Sequence, residues 1–237
     1  MLREHFDYWL ESAEHGFVDL AWAVFRRVFR QNFEMPGFAV VAFPAAFSSR
    51  ELRETMVRLK EAFSTRLEKQ WGEHLEYLSL GRFDQQATTK MHLDGAPERS
   101  VLILGYEPTE VASELLIADY AQCAHTLGLS PAEYLAQHNP MFPGATGQLD
   151  PYLTTIAAWC EERPRIVVIN NSSGSPDHPR YLHGVLHGAR ILSPDASKTR
   201  IINSTTAGVS PTQETEPNKS VLEFLATDAV SGPIMMS

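Results

Sequence analysis

An α+β domain, with helices packed on a strand-rich core, is the fold class this sequence predicts, and two observations carry it. Apolar residues recur at helical spacing near the N-terminus and again after residue 110. The stretches between and after alternate, or run continuously apolar, as strands do. Helices and strands also come in blocks rather than in βαβ alternation, which argues against a doubly wound parallel sheet. The 237 residues are 43% hydrophobic and 21% charged. A chain of that length and balance buries a sizeable core without staples and is neither disordered nor fibrous.

The elements follow in order. Through residue 34 the chain reads as helical, with Leu20, Val24, Phe25, Val28 and Phe29 on one face and Arg26, Arg27 and Arg30 interrupting it. The mixture is too even for a lipid-binding helix and suits one packed on a core. Pro36-Gly37 breaks the helix, and Phe38 to Phe43 reads as a buried strand. Ser48 and Glu51 form a capping box for a helix reaching about Lys69, with Leu52, Met56, Leu59 and Phe63 as its stripe. Glu76 to Phe83 alternates as a strand, Gln85 to Met91 is extended, and Ser100 to Tyr106 is an apolar strand. Glu110 to about His138 reads as helical, with Ser130 as a second N-cap and Pro131 in the first helical position. Asn139 to Gly147 is a loop, and Leu149 to Cys160 reads as a short helix. Arg165 to Asn170, Leu182 to Leu192 and Arg200 to Thr206 read as strands, and Ser220 to Ala226 as a last one.

Composition narrows the function classes. A net charge of -9 and a pI near 5.5 leave no basic footprint for nucleic acid. Cys123 and Cys160 cannot make a disulfide framework. The start does not resemble a signal peptide, and apolar runs such as Phe38 to Phe47 fall short of the roughly 20 residues that cross a bilayer. The expectation is a soluble cytoplasmic protein with a small-molecule substrate and neither nucleic-acid nor membrane partner. Its oligomeric state is left open.

Three groups of residues carry chemistry. His92-Leu93-Asp94 places an imidazole and a carboxylate on one face of an extended backbone, just before a turn at Gly95-Ala96-Pro97. That is a two-ligand clip for a divalent metal. His183-Gly-Val-Leu-His187-Gly supplies two more histidines, and its glycines argue against a zinc-protease helix. On a strand, residues four apart are separated by about 13 Å, so only one of the two can join the clip. Arg200 decides between them. A hairpin turning at Pro194-Asp195 would set Arg200 opposite His187, and His183 opposite Ser204. Two histidines and one carboxylate with open positions make the facial triad of non-haem Fe(II) oxygenases, and a nearby arginine suits a carboxylate.

On His92-Leu93-Asp94, Gly184-Val185-Leu186-His187-Gly188-Ala189 and Arg200, the chain resembles the Fe(II)/2-oxoglutarate-dependent dioxygenase superfamily. Val-Leu-His-Gly-Ala is similar to the distal-histidine segment of the phytanoyl-CoA dioxygenase branch. Pro36-Gly37-Phe-Ala-Val-Val before a capped helix, and Pro164 to Asn170 before the distal histidine, agree with the family layout over residues 36 to 206. The resemblance implies a double-stranded β-helix, a jelly-roll barrel with supporting helices. Residues 1–237 would form one oxygenase domain, with N-terminal helices at 1–35, the barrel at 36–106 and 165–226, and a helical insert at 110–160. It also implies Fe(II) on His92, Asp94 and His187, 2-oxoglutarate as co-substrate with its far carboxylate on Arg200, and O2 as oxidant. The default outcome is hydroxylation of a small-molecule or carrier-bound substrate, with release of succinate and CO2. A halogenase would have Gly or Ala at position 94.

Two departures stand out: a long gap between Asp94 and His187, and Ile201-Ile202-Asn203 after Arg200 where the family often has x-Ser. Arg82, Gln86, His183 and Asn203 are candidate pocket or substrate contacts. Arg82 could equally pair with Asp84 or Glu76, and Asn170 and Asn171 are expected to satisfy a turn. A cupin-type metal enzyme without 2-oxoglutarate is the alternative enzyme. A metal-free binding module on the same barrel is the alternative from another class.

Overall fold

The computed structural model describes residues 8–141, 147–156, 162–173, 178–211 and 219–230. A short strand β1 (Trp9–Glu11) and a 3-10 turn precede α1 (Phe17–Val28), so residues 8–34 are less helical than their periodicity suggests. The apolar face of α1 is buried as expected. β2 (Phe38–Ala42) leads to α2 (Ser49–Trp71). Ser48 and Glu51 close the capping box reciprocally, and Gly72 ends the helix at φ 68°, a left-handed conformation that glycine adopts without strain. β3 (His74–Asp84) covers the alternating stretch, and β4 (Ser100–Tyr106) the continuously apolar one.

Within 110–138 the expectation needs correction. Ser113–Ala118 is a strand, β5, in which Ser113, Leu115 and Ile117 are buried while Glu114 and Leu116 are half-buried, a period of two. Only α3 (Tyr120–Thr126) and α4 (Pro131–His138) are helical, α4 starting at the Ser130–Glu133 capping box. The helix expected at Leu149 to Cys160 is instead a 3-10 turn followed by β6 (Leu153–Ile156), residues 157–160 lying outside the described residues. The loop expected at Asn139 to Gly147 likewise lies partly outside them, at 142–146. β7 (Arg165–Asn170) appears as read, β9 (Ile201–Ser210) runs past the expected end at Thr206, and β8 is shorter than expected, Leu186–Ile191. The final strand is a helix, α5 (Lys219–Ala226), with Phe224 buried in the core.

The strands form two sheets. One has six strands in the order β1-β2-β7-β4-β9-β3, and the other three in the order β6-β5-β8. All pairings are antiparallel except β1 with β2. After β5 and β6 the chain goes from the small sheet to the large one (β7), to the small one (β8) and back (β9). Phe38, Val40, Leu102, Leu104 and Val167 of the large sheet share a core with Leu115, Ile117 and Ile156 of the small one. Ala39, Val41, Val101, Ile103 and Val168 face the other way, onto α1 and α2. The large sheet is therefore apolar on both faces, which explains the continuous apolar runs of β2, β4 and β7. Among the described residues no helix is long and apolar enough to cross a membrane.

Candidate metal centre

His92 forms a single antiparallel bridge with His187: His92 N donates to His187 O at 2.9 Å, and His187 N to His92 O at 3.0 Å. Directly paired residues project from the same face, so the two imidazoles stand together, ring centroids 4.4 Å apart. Asp94 follows two residues on. Its Oδ1 lies 3.4 Å from His92 Nε2 and 4.0 Å from His187 Nε2. One donor atom from each residue lies within 4.8 Å of the others, and no other such group occurs among the described residues.

Several contacts fix this geometry. His92 Nδ1 donates to Lys90 O at 2.7 Å, which fixes the ring with Nε2 turned toward Asp94. Asn171 holds the backbone at Asp94 from both sides: its Oδ1 accepts from Asp94 N at 2.9 Å, and its Nδ2 donates to Asp94 O at 3.0 Å. Asn171 thus satisfies a turn, as expected, and the turn is the one carrying a candidate ligand. Gly188 lets the partner segment close in, since a Cβ there would sit 3.1 Å from Lys90 O and from Met91 Sδ.

Charge suits ligation. Burial, then the neighbouring His92, pushes the His187 imidazole down to about 4, so it is neutral near pH 7. Burial works against ionisation of Asp94, but the His92 hydrogen bond and both imidazoles outweigh it and hold its carboxyl below the usual range. At His92, burial is outweighed by hydrogen bonds to Asp94 and Lys90 O, and the pKa is raised.

Arg200 lies just before β9 and is 1% exposed. Its Nε donates to Ser113 Oγ at 3.0 Å and its Nη1 to Gln85 O at 3.1 Å, while Nη2 is buried without a hydrogen-bond partner. The guanidinium stands over Tyr106, 5.2 Å from the ring centroid. Burial raises the Tyr106 phenol; Arg200 opposes the rise and the charge of Asp94 adds to it. The hairpin argument that selected His187 does not hold. β8 pairs with β5, setting His187 opposite Ile117, and β9 pairs with β3 and β4, setting Ser204 opposite Gly81 and Leu104. The segment between β8 and β9 crosses from one sheet to the other instead of turning back.

The remaining candidates are engaged elsewhere. Arg82 grips Glu107 with two nitrogens, both at 3.1 Å, and donates to Asp228 O, rather than pairing with Asp84 or Glu76. Asn203, opposite Arg82 in the ladder, donates to Gly105 O and Glu107 Oε1. Gln86 bridges Asp195 N and Lys198 O, bracing the crossover segment. The His183 ring packs against Phe33 and Tyr181, with centroids 4.3 and 4.6 Å away. Tyr106 and Ser113 are residues around the site that the sequence reading missed, and Asn171 was read only as a turn residue. Only the strand alternation of Ser113-Glu-Leu-Leu-Ile could have signalled Ser113, by aligning it with Leu115 and Ile117.

No family model matches the chain, and no curated protein matches it. Among solved structures it is similar to one described as a non-heme iron oxygenase, OrfP, in complex with Fe and L-Arg. The TM-score is 0.35 and the identity 12%, over 80% of this chain and 77% of that one.

Proposed function

We propose that this protein is a non-haem Fe(II)/2-oxoglutarate-dependent oxygenase acting on a small-molecule or carrier-bound substrate. The observation that carries the reading is the convergence of His92 Nε2, the Asp94 carboxylate and His187 Nε2, with donor atoms within 4.8 Å of one another. The donor set fits a divalent iron: two imidazole nitrogens and one carboxylate, gathered so that the other coordination positions stay open. Bound there, Fe(II) would supply the redox chemistry that couples oxidative decarboxylation of 2-oxoglutarate to oxidation of a substrate C–H bond.

The residues around it have separate tasks. His92, Asp94 and His187 would hold the metal, and Asn171 keeps Asp94 in place. Arg200 would hold the far carboxylate of 2-oxoglutarate. A buried guanidinium needs a charged partner, yet among the described residues no carboxylate lies within ion-pair distance of Arg200, and its Nη2 hydrogens are unused. The apolar core between the sheets would exclude water from the reacting groups. Two features support reading the two sheets as a double-stranded β-helix. After β6 the chain changes sheet with each strand, and the His92–His187 bridge adds a short fourth member beside β8.

The test is direct. Anaerobically prepared protein with Fe(II), 2-oxoglutarate and O2 should release succinate, and Asp94→Ala should not. Iron binding without any 2-oxoglutarate turnover across broad substrate mixtures would favour the cupin-type alternative.

A further inference from the structure

The guanidinium of Arg200 has five N–H groups, and neutral oxygens take three of them. Nε goes to the hydroxyl of Ser113, and Nη1 to the backbone carbonyl and the side-chain oxygen of Gln85. Ser113 is 1% exposed and opens β5, a strand of the small sheet, whereas Arg200 leads into β9 of the large one. The Ser113 hydroxyl therefore reaches from one sheet to the other. The Arg200 backbone is anchored separately, its N–H donating to Asp84 Oδ1 at 2.9 Å. A guanidinium is planar and rigid, so two anchored nitrogens fix the direction of the third. Here that third nitrogen is Nη2, which is buried without a hydrogen-bond partner.

We propose that Ser113 is the positioning residue that aims Arg200, so that Nη2, and not the Nε edge, grips the carboxylate of the co-substrate. The assignment rests on the 2-oxoglutarate reading above. With Nε occupied by Ser113, the side-on fork of Nε and Nη2 is closed to the ligand. Without the hydroxyl, Nε becomes a buried unpaired donor, and the guanidinium can turn to offer either edge. Ser113 needs no contact with substrate or metal to act in this way.

The experiment compares wild type, Ser113→Ala and Ser113→Thr with Fe(II), following succinate release against 2-oxoglutarate concentration. Binding of 2-oxoglutarate to the Mn(II)-loaded protein is measured alongside by calorimetry. A hydrogen bond to a charged group is worth roughly a tenfold to hundredfold change in affinity. Ser113→Ala should raise the KM for 2-oxoglutarate and weaken its binding by about that factor, with kcat and metal content near wild type. Ser113→Thr, which keeps the hydroxyl, should recover most of the loss. A wild-type KM in Ser113→Ala, or kcat falling while KM and calorimetric affinity stay unchanged, overturns the assignment. If wild type itself neither binds nor turns over 2-oxoglutarate, the functional reading falls and the assignment with it, so the two failures are told apart by the wild-type arm.

Discussion

At the residue scale, the two histidines of the Gly184–Gly188 segment separate cleanly. His187 faces Asp94, and His183 sits among aromatic rings. His187→Ala should lose bound iron and activity together, whereas His183→Ala should keep iron and lose stability; metal analysis of the two purified variants checks this. The sequence reading reached His187 through a hairpin that does not form, and the residue is selected instead by its direct bridge to His92. The pair His92 and Asp94 was legible because residues two apart on extended chain share a face, a property of the backbone alone. Ser113 and Tyr106 were not legible, since nothing local to either residue records that Arg200 lies against it. Gly184 offers a second check. A Cβ there would meet Ser172 O at 2.0 Å, a backbone atom that cannot step aside, so Gly184→Ala should destabilise by about 3 kcal/mol or more in urea unfolding.

At the scale of elements, α1 ends in a feature its periodicity left unexplained. Arg30, read as an interruption of the apolar stripe, is buried and clasps Asp119 with two nitrogens at 2.9 and 2.7 Å. The same guanidinium donates to the backbone oxygens of His183 and Met35. It joins the N-terminal helix, the cap of α3 and the approach to β8. Asp119→Ala should cost about 3–5 kcal/mol in chemical denaturation, because it strands a buried cation. His183 lies against this joint, and burial, then the charge of Arg30, pushes its imidazole down to about 4. The folded state thus binds fewer protons there than the unfolded chain. Stability is complete above about pH 6.5 and falls as the pH drops toward 4, with His183 contributing less than one proton's worth, about 1.4 kcal/mol per pH unit. Denaturation of metal-free protein between pH 4 and 7 should show a shallower slope in His183→Asn than in wild type. Elements with strong local codes, such as the capped α2, were legible to within a few residues. β5 and α5 were not, because their few apolar residues satisfy either period and only their neighbours decide.

At the scale of the whole molecule, the candidate ligands come from two distant segments, His92 and Asp94 before β4 and His187 in β8. An ion bound by all three favours the folded chain over the unfolded one. At 100 times its Kd it should add about 2.7 kcal/mol, or a rise in Tm of about 5–10 °C for a chain of this size. Differential scanning calorimetry with and without Mn(II) tests this, and Asp94→Ala should show no rise. Block order predicted the mixed fold class, and composition predicted the size of the core. Which strands would share a sheet was not legible, because the choice depends on where long connections return and no residue in β8 or β9 encodes it. The segment beside β8 bears on a different property, colloidal behaviour. Where a further strand would offer carbonyls, Thr88 and Thr89 offer hydroxyls to the N–H groups of Ile191 and Ala189, at 3.0 and 2.8 Å. The chain that carries a candidate metal ligand is thereby also a guard rail along an apolar strand edge, an edge that would otherwise template the addition of a second molecule. Replacing both threonines with valine keeps their shape and removes the rail. The cost of that change should be read as concentration-dependent association in light scattering before it is read in catalysis.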